Sequence, residues 1–178
     1  MTFIRGKQVE LRILEDGDVE KFTRAVNAGL TTQHLFTGSI PMRTADYAAR
    51  FADERRAGDI LFAVWTSRFI GTCGLHSHRD IYKSWEARFL ICDPFSVGRG
   101  LGKEVVGLLS RYAFERLNAH RLWLGVSEDN RRAVKCYLDC GFVLEGRLRD
   151  SIFYNGKYRS TLTMSILEHE WRSIAQSS

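Results

Sequence analysis

One stretch of the chain, DPFSVGRGLGKEVV at residues 93–106, constrains the fold more than any other. Gly98, Gly100 and Gly102 alternate there with larger residues. A helical pattern begins at the same place, and its apolar residues recur on one face. They are Leu101, Val105, Leu108, Leu109 and Tyr112. Helix N-termini offer unpaired N–H groups and the positive end of the helix dipole, so this stretch predicts a phosphate-binding loop between a strand and a helix.

Two well-known phosphate loops do not fit this stretch. A Walker loop would need Ser or Thr after Gly102-Lys103, where Glu104 stands, and its first glycine would fall on Val97. A dinucleotide fingerprint would need its third glycine at Lys103 and an acidic residue near 120–125, where none occurs. A loop of the Gly-x-Gly type fits without a mismatch, and a glycine-rich turn without a ligand is the alternative.

The rest of the chain alternates between strand and helix patterns. Predicted strands lie at 8–14, 60–66, 68–79, 84–94 and 120–127, with two more around the turn signal Asn155-Gly156. Predicted helices run from an Asp18 cap to Gly29, from a Thr44 cap to Gly58, from the glycine loop to about Leu117, and over 130–141. This order predicts one mixed α/β domain, with ligands bound beyond the C-terminal ends of strands.

Composition and charge restrict the class of partner. The net charge of +5 points mildly to anionic ligands, but basic residues are interspersed with acidic ones, so nucleic acid is not expected. No apolar run is long enough for a bilayer, and the start resembles a strand, so we expect a cytoplasmic protein without a membrane segment. The four cysteines form no C-x-x-C pair. His76 and His78 share a strand face without an evident third ligand, so no metal site is expected.

Two segments carry a family resemblance. DPFSVGRGLGKEV and SEDNRRAVKCYLDCGFVLEGRLRD together resemble the GNAT superfamily of acyl-CoA N-acyltransferases, and the resemblance extends from QVELRIL to about Met164. The ending, DSIFYNGKYRSTLTMSIL, is similar to the branch that acetylates ribosomal-protein N-termini, polyamines and amino sugars. The chain departs from the family where Gln or Arg is usual, at Val97. The resemblance implies a central mixed, mostly antiparallel sheet flanked by helices. We expect this domain over residues 1–171 and, at the chain end, a frayed tail at 172–178.

The resemblance also implies where acetyl-CoA binds. Backbone N–H groups from Gly98 to Lys103 would surround its pyrophosphate, since a Cβ would hold the anion away from the backbone. The strand before the loop would pair with the pantetheine arm. The expected contacts are Leu90, Ile91, Cys92, Val97, Gly98, Arg99, Gly100, Leu101, Gly102, Lys103, Asn130, Ala133 and Tyr137.

Catalytic candidates follow from the same segments. Asn130 and Tyr137 are seven positions apart and so share a helix face. With the resemblance, Tyr137 is the expected acid for the departing thiolate; without it, a buried core tyrosine is the alternative. Glu86, beside Trp85, is the expected base, and it is equally consistent with a solvated strand face. His76 is an alternative base.

These features predict an N-acetyltransferase. It would move an acetyl group from acetyl-CoA to a primary amine of a protein N-terminus, an amino sugar or a polyamine, by direct attack in a ternary complex. The acceptor would be selected by residues 18–58 and the Asn155 hairpin. A catalytically silent acyl-CoA-binding module is the alternative function, and a homodimer is compatible with either.

Overall fold

The computed structural model describes residues 1–28, 40–77 and 80–176. The strands are β1 (Thr2–Arg5), β2 (Glu10–Ile13), β3 (Ile60–Trp65), β4 (Phe69–Ser77), β5 (Ser84–Ile91), β6 (Arg121–Ser127), β7 (Val143–Tyr154) and β8 (Lys157–Leu167). The helices are α1 (Asp16–Asn27), α2 (Thr44–Arg56), α3 (Leu101–Arg116), α4 (Arg131–Asp139) and α5 (Glu168–Gln176). No helix within these ranges is both long and apolar enough to cross a membrane.

The strands form one sheet in the order β1-β2-β3-β4-β5-β6-β8-β7. Every neighbouring pair is antiparallel except β5 and β6. The predicted mixed, mostly antiparallel sheet with flanking helices in a single domain is therefore confirmed. The hairpin between β7 and β8 turns at Asn155 and Gly156, whose φ values of 48° and 74° suit the two-residue turn that this dipeptide predicts.

Each face of the sheet carries its own apolar core. On one face, α1 and α2 contribute Phe22, Tyr47 and Phe51, which pack near Leu90 of β5. On the other face, α3 and α4 cover Phe89 and Ile91 together with the inner residues of the other central strands. Successive residues of β5 thus face opposite cores, as the two-residue period of a strand requires.

The only parallel pair that the described strands form is short. β5 pairs with β6 only from Ser84 to Glu86, opposite Arg121 to Trp123. β5 continues to Ile91 along β4, and β6 continues to Ser127 along β8. The two central strands therefore separate, leaving the β6-facing edge of β5 without a strand partner from Ala87 onward.

Two local predictions were wrong. The N-caps of α1 and α2 are Glu15 and Arg43, because Asp18 and Asp46 lie three residues inside and accept the N-cap N–H groups. Residues 2–5 form β1, in agreement with the strand-like start of the sequence.

The expected frayed tail at 172–178 is helical in α5 through Gln176, because Trp171 stacks on Phe114 at 5.2 Å. Residues 177–178, the expected stop at Gly29 and His78 lie outside the described residues.

Candidate active site

The glycine loop occupies the expected position between β5 and α3. Gly98 and Gly100 both have φ of +80°, a conformation that residues with a Cβ rarely adopt, and Gly100 is the N-cap of α3. Among the described residues, none accepts a hydrogen bond from the backbone N–H groups of Gly98 through Gly102. The Lys103 N–H already donates to the Gly100 carbonyl at 3.0 Å. Five consecutive donors at a helix N-terminus are therefore open to an anion.

Gly102 differs from the other two glycines. Its backbone is ordinary for any residue, and a Cβ there would meet only the Phe89 ring, at 3.6 Å. The protein itself therefore does not require glycine at 102. A ligand that approaches the backbone closely would require glycine at this position.

The surroundings of the loop are positively charged. Arg99 and Lys103 are exposed, and neither forms an ion pair with another described residue. Arg131 and Arg132, in the first turn of α4, are likewise exposed and unpaired within the described ranges. These cations and the open N–H groups form a surface suited to phosphate.

The strand leading into the loop offers an open edge. Ile91 pairs with Gly71 of β4, and the Cys92 N–H donates to the Ile70 carbonyl at 2.9 Å. The β6-facing side of β5 is free of strand pairing here, as a pantetheine arm bound like an added strand would require. Burial raises the pKa of the Cys92 thiol to about 12, which removes it as a nucleophile.

Helix α4 positions Tyr137 against this strand. Asn130 caps α4, since its side-chain oxygen accepts the Ala133 N–H at 3.2 Å. The ring of Tyr137 meets Phe89 of β5 edge to face, with centroids 5.7 Å apart. Its hydroxyl makes no hydrogen bond within the described residues. Burial raises the pKa of Tyr137 above its usual value, so the phenol keeps its proton at neutral pH.

The cap gives Asn130 and Ala133 a structural role in addition to the expected contact with the coenzyme. The Ala133 N–H is satisfied by Asn130 Oδ1 and is therefore not open to a ligand. The Asn130 amide nitrogen has no partner among the described residues. Its two N–H donors stay available to a ligand.

A cleft of about 630 Å³, open mouth included, lies on the α1–α2 face of the sheet. Phe22, Tyr47 and Phe51 form its aromatic wall, and β4 and β5 form its floor. The Tyr47 hydroxyl is buried without a hydrogen-bond partner among the described residues. An amine with an apolar chain fits such surroundings.

Glu86 lies at the edge of this cleft but is engaged by a neighbour. Arg88 Nε and Nη2 donate to its two carboxylate oxygens at 2.8 and 2.7 Å. This pairing raises the pKa of Arg88. Of the pair, Arg88 lines the cleft and Glu86 does not. The expected base is thus near the acceptor cleft, with a bidentate arginine that the sequence analysis did not anticipate.

His76 also lines the cleft, opposite Glu86 in the register of β4 and β5. Its Nδ1 lies 2.7 Å from Asp59 Oδ2. Sequence reasoning missed Asp59, which precedes β3. Within the described ranges, no group of three or more His, Cys, Asp or Glu residues is placed to hold a metal ion.

Comparison with known proteins identifies the family. Residues 8–143 match the model of the Acetyltransferase (GNAT) domain. The spermidine N(1)-acetyltransferase of Vibrio cholerae is 34% identical over 102 residues, covering 57% of this chain and 58% of that protein. The Escherichia coli K12 enzyme of the same name is 35% identical over 82 residues, covering 46% and 44%. The chain thus aligns with about half the length of these curated relatives.

Longer matches agree with this result. The putative ribosomal N-acetyltransferase YdaF of Bacillus subtilis is 23% identical over 174 residues, covering 93% of this chain and 94% of that protein. The crystal structure of Vibrio cholerae spermidine N-acetyltransferase in complex with CoA and spermine has a TM-score of 0.83 at 28% identity, covering 94% of this chain and 99% of that one. The family model spans the glycine loop and Tyr137, and the chain belongs to the GNAT acetyltransferase domain family.

Proposed function

We propose that the protein transfers an acetyl group from acetyl-CoA to a primary amine, with a polyamine as the acceptor class to test first. One observation carries the proposal: Gly102, in the row of five open N–H groups at the start of α3, and the Tyr137 ring both lie next to Phe89. Phe89 belongs to the part of β5 that has separated from β6, and the Tyr137 hydroxyl has no partner among the described residues. This arrangement supports a phosphate site and a protonated phenol beside the same open strand edge. The spermidine-acetylating relatives support the acceptor class.

The chain would hold acetyl-CoA by its backbone. The open donors of Gly98 through Gly102 would bind the pyrophosphate, with Arg99 and Lys103 adding positive charge. The edge of β5 would bind the amide groups of the pantetheine arm, as an added strand does. Val97 does not weaken this proposal, because the open donors all belong to the backbone of later residues.

Charge in and beside the cleft supports an amine acceptor. Glu54, Glu86 and Asp59 carry three carboxylates against two guanidiniums, those of Arg50 and Arg88. Each arginine is held by a glutamate, so neither repels an ammonium as a free cation would. Glu86 is proposed to act on the acceptor side, where it keeps Arg88 against the cleft; acting as the base itself would require it to release Arg88.

The reaction needs a base and an acid. An ammonium loses one proton, the free amine forms a C–N bond with the thioester carbonyl, and the C–S bond breaks. Tyr137 gives its proton to the departing thiolate and is reprotonated by the second proton that the new amide nitrogen loses. One proton leaves to solvent in each turnover. A phenol with a raised pKa suits the acid step.

Thiol release over an acceptor panel tests the proposal. The panel contains spermidine, spermine, peptides with free N-termini, an aminoglycoside and a nucleotide-linked amino sugar. Turnover of spermidine above the acceptor-free rate is expected. Tight acetyl-CoA binding without turnover of any acceptor would favour the catalytically silent acyl-CoA-binding module instead.

The described surface also supports self-association. Large exposed apolar side chains gather on the β7–β8 hairpin, and β7 is an edge strand. They are Val143, Leu144, Leu148, Phe153 and Tyr158. A Vibrio cholerae relative is dodecameric in one structure, with a TM-score of 0.78 at 28% identity. A homodimer through this hairpin is proposed, and sedimentation of wild type against Leu148→Lys tests it.

All four cysteines are free, which supports the expected cytoplasmic location.

A further inference from the structure

The acceptor cleft contains a carboxylate–imidazole pair that the glycine loop and Tyr137 leave unexplained. His76 Nδ1 and Asp59 Oδ2 are 2.7 Å apart, and only 8% and 10% of the two side chains is exposed. We propose that His76 is the base that takes the proton of the incoming amine, and that Asp59 is its positioning residue. This inference rests on the proposed function and assigns a step within it.

Asp59 is held so that only one of its two carboxylate oxygens is available to the imidazole. Its Oδ1 accepts the Ser77 N–H at 2.9 Å, which leaves Oδ2 for His76. A carboxylate only accepts hydrogen bonds, so His76 Nδ1 is the donor. In the neutral ring, the lone pair is then on Nε2.

Nε2 is open toward the cleft. It makes no hydrogen bond within the described ranges. It lies over Gly74, where a Cβ would come within 3.3 Å of it, and Gly74 and His76 both line the cleft. Gly74 is opposite Arg88 in the strand register, so Nε2 is displaced along β4 toward the end of β5 that leads to the glycine loop. An amine in the cleft can therefore reach this lone pair.

The charged groups around His76 favour its role over that of Glu86. Glu86 of β5 lies opposite His76 in the strand register, with Arg88 beside it. Arg50 and Glu54 face the same cleft from α2. Both oxygens of Glu86 accept hydrogen bonds from Arg88, whereas Nε2 of His76 has no competing donor among the described residues. Asp59 stabilises the imidazolium that forms once the proton arrives.

The proton inventory closes with this assignment. The ammonium proton moves to Nε2, the C–N bond forms and the C–S bond breaks. Tyr137 protonates the thiolate and is reprotonated by the second proton that the new amide nitrogen loses. His76 then releases its proton to solvent before the next turnover.

Kinetics distinguish a catalytic role of the Asp59–His76 pair from a structural one. His76→Gln should lower kcat/KM for spermidine about 10²–10⁴-fold at neutral pH. It should also move the rise of rate with pH to the higher pH at which the amine itself loses its proton. The loss should shrink for a fluorinated polyamine whose amine is already neutral, and acetyl-CoA affinity should not change. Glu86→Gln should retain the pH rise. A loss that is equal at every pH and for both amines would overturn the proposal, as would a pH rise that disappears only in Glu86→Gln.

A second measurement does not depend on turnover. In the neutral form of the His76 ring, nitrogen-15 NMR of the wild-type protein should find the proton on Nδ1. In Asp59→Asn, the amide oxygen keeps the Ser77 bond and the NH₂ group faces Nδ1, so the proton should move to Nε2. A wild-type proton on Nε2 would overturn the dyad even if acetyl transfer is confirmed. The expected tautomer together with an inactive acceptor panel would instead count against the proposed function alone.

Discussion

Tyr137 meets Phe89 edge to face, with an interplanar angle of 82°. Phe89 follows Arg88 on β5, and the two side chains point to opposite faces of the sheet. The proposed acid therefore lies on one face of β5, and the acceptor cleft lies on the other. The separation of β5 from β6 after Glu86 opens a route between the two faces.

Removing the phenolic proton should slow catalysis without loosening the coenzyme. Tyr137→Phe keeps the ring and its contact with Phe89, so we expect kcat to fall about 10²–10⁴-fold. Steady-state kinetics with spermidine measure this, and calorimetry with acetyl-CoA should give wild-type affinity. If kcat falls by less than about threefold, Tyr137 is a packing residue and not the acid.

The same phenol predicts one feature of the pH profile. A group acting as an acid fails when it loses its proton, and burial raises the pKa of Tyr137 above the ordinary value of 10.0. The wild-type rate should therefore not decline below pH 10 through loss of this proton. A decline at lower pH in wild type that is absent from Tyr137→Phe would show a phenol with a lowered pKa, contrary to this account.

Gly102 offers a clean test of the phosphate loop. The Cβ of Gly102→Val would meet only the Phe89 ring within the protein. The branched side chain would occupy the path of a phosphate, so acetyl-CoA binding should weaken at least tenfold by calorimetry. Gly107→Ala is the matched control, because it lies in the same helix with open space around it. Equal coenzyme affinity in both folded variants would remove the loop from the binding site.

Asn130 tests whether the cap or a coenzyme contact matters. Asn130→Ala should destabilise the fold by about 0.5–2 kcal/mol through loss of the α4 cap, as measured by denaturant unfolding. Asn130→Ser keeps a capping oxygen and should restore most of that stability. If Asn130→Ser is stable and still binds acetyl-CoA much more weakly than wild type, the amide nitrogen contacts the coenzyme, as the family resemblance implies.

Glu86→Gln should affect the acceptor side. The amide retains one acceptor for Arg88 but loses the charge that offsets it, so KM for spermidine should rise, by about tenfold if a charged hydrogen bond of 1.5–3 kcal/mol is weakened. Acetyl-CoA affinity should stay at the wild-type value. An unchanged KM would mean that Glu86 and Arg88 do not contribute to acceptor binding.

The sequence predicted the features that depend on local chemistry. The glycine loop and the Asn155-Gly156 turn both require particular backbone conformations, which glycine and asparagine reveal directly. The pairing of Glu86 with Arg88 was available too, since residues two apart on a strand share a face. The pattern of α5, with Trp171 and Ile174 spaced for one helix face, also contained a signal that the sequence analysis missed.

The Asp59–His76 pair could not have been found in this way. The two residues are separated by 17 positions, with β3, a turn and most of β4 between them. Only the pairing of β3 with β4 brings the residue before one strand next to the end of the other. Neither residue belongs to a motif, so the contact is a property of the strand register.

The most direct measurement of the central claim is acetyl transfer itself. Purified protein is mixed with acetyl-CoA and spermidine, free thiol is followed by absorbance, and the polyamine is recovered for mass spectrometry. This account predicts one thiol released for each acetyl group found on spermidine, and a release about 10²–10⁴-fold slower with Tyr137→Phe. Calorimetric binding of acetyl-CoA with no acetylated spermidine, and with thiol release no faster than in buffer, would contradict it.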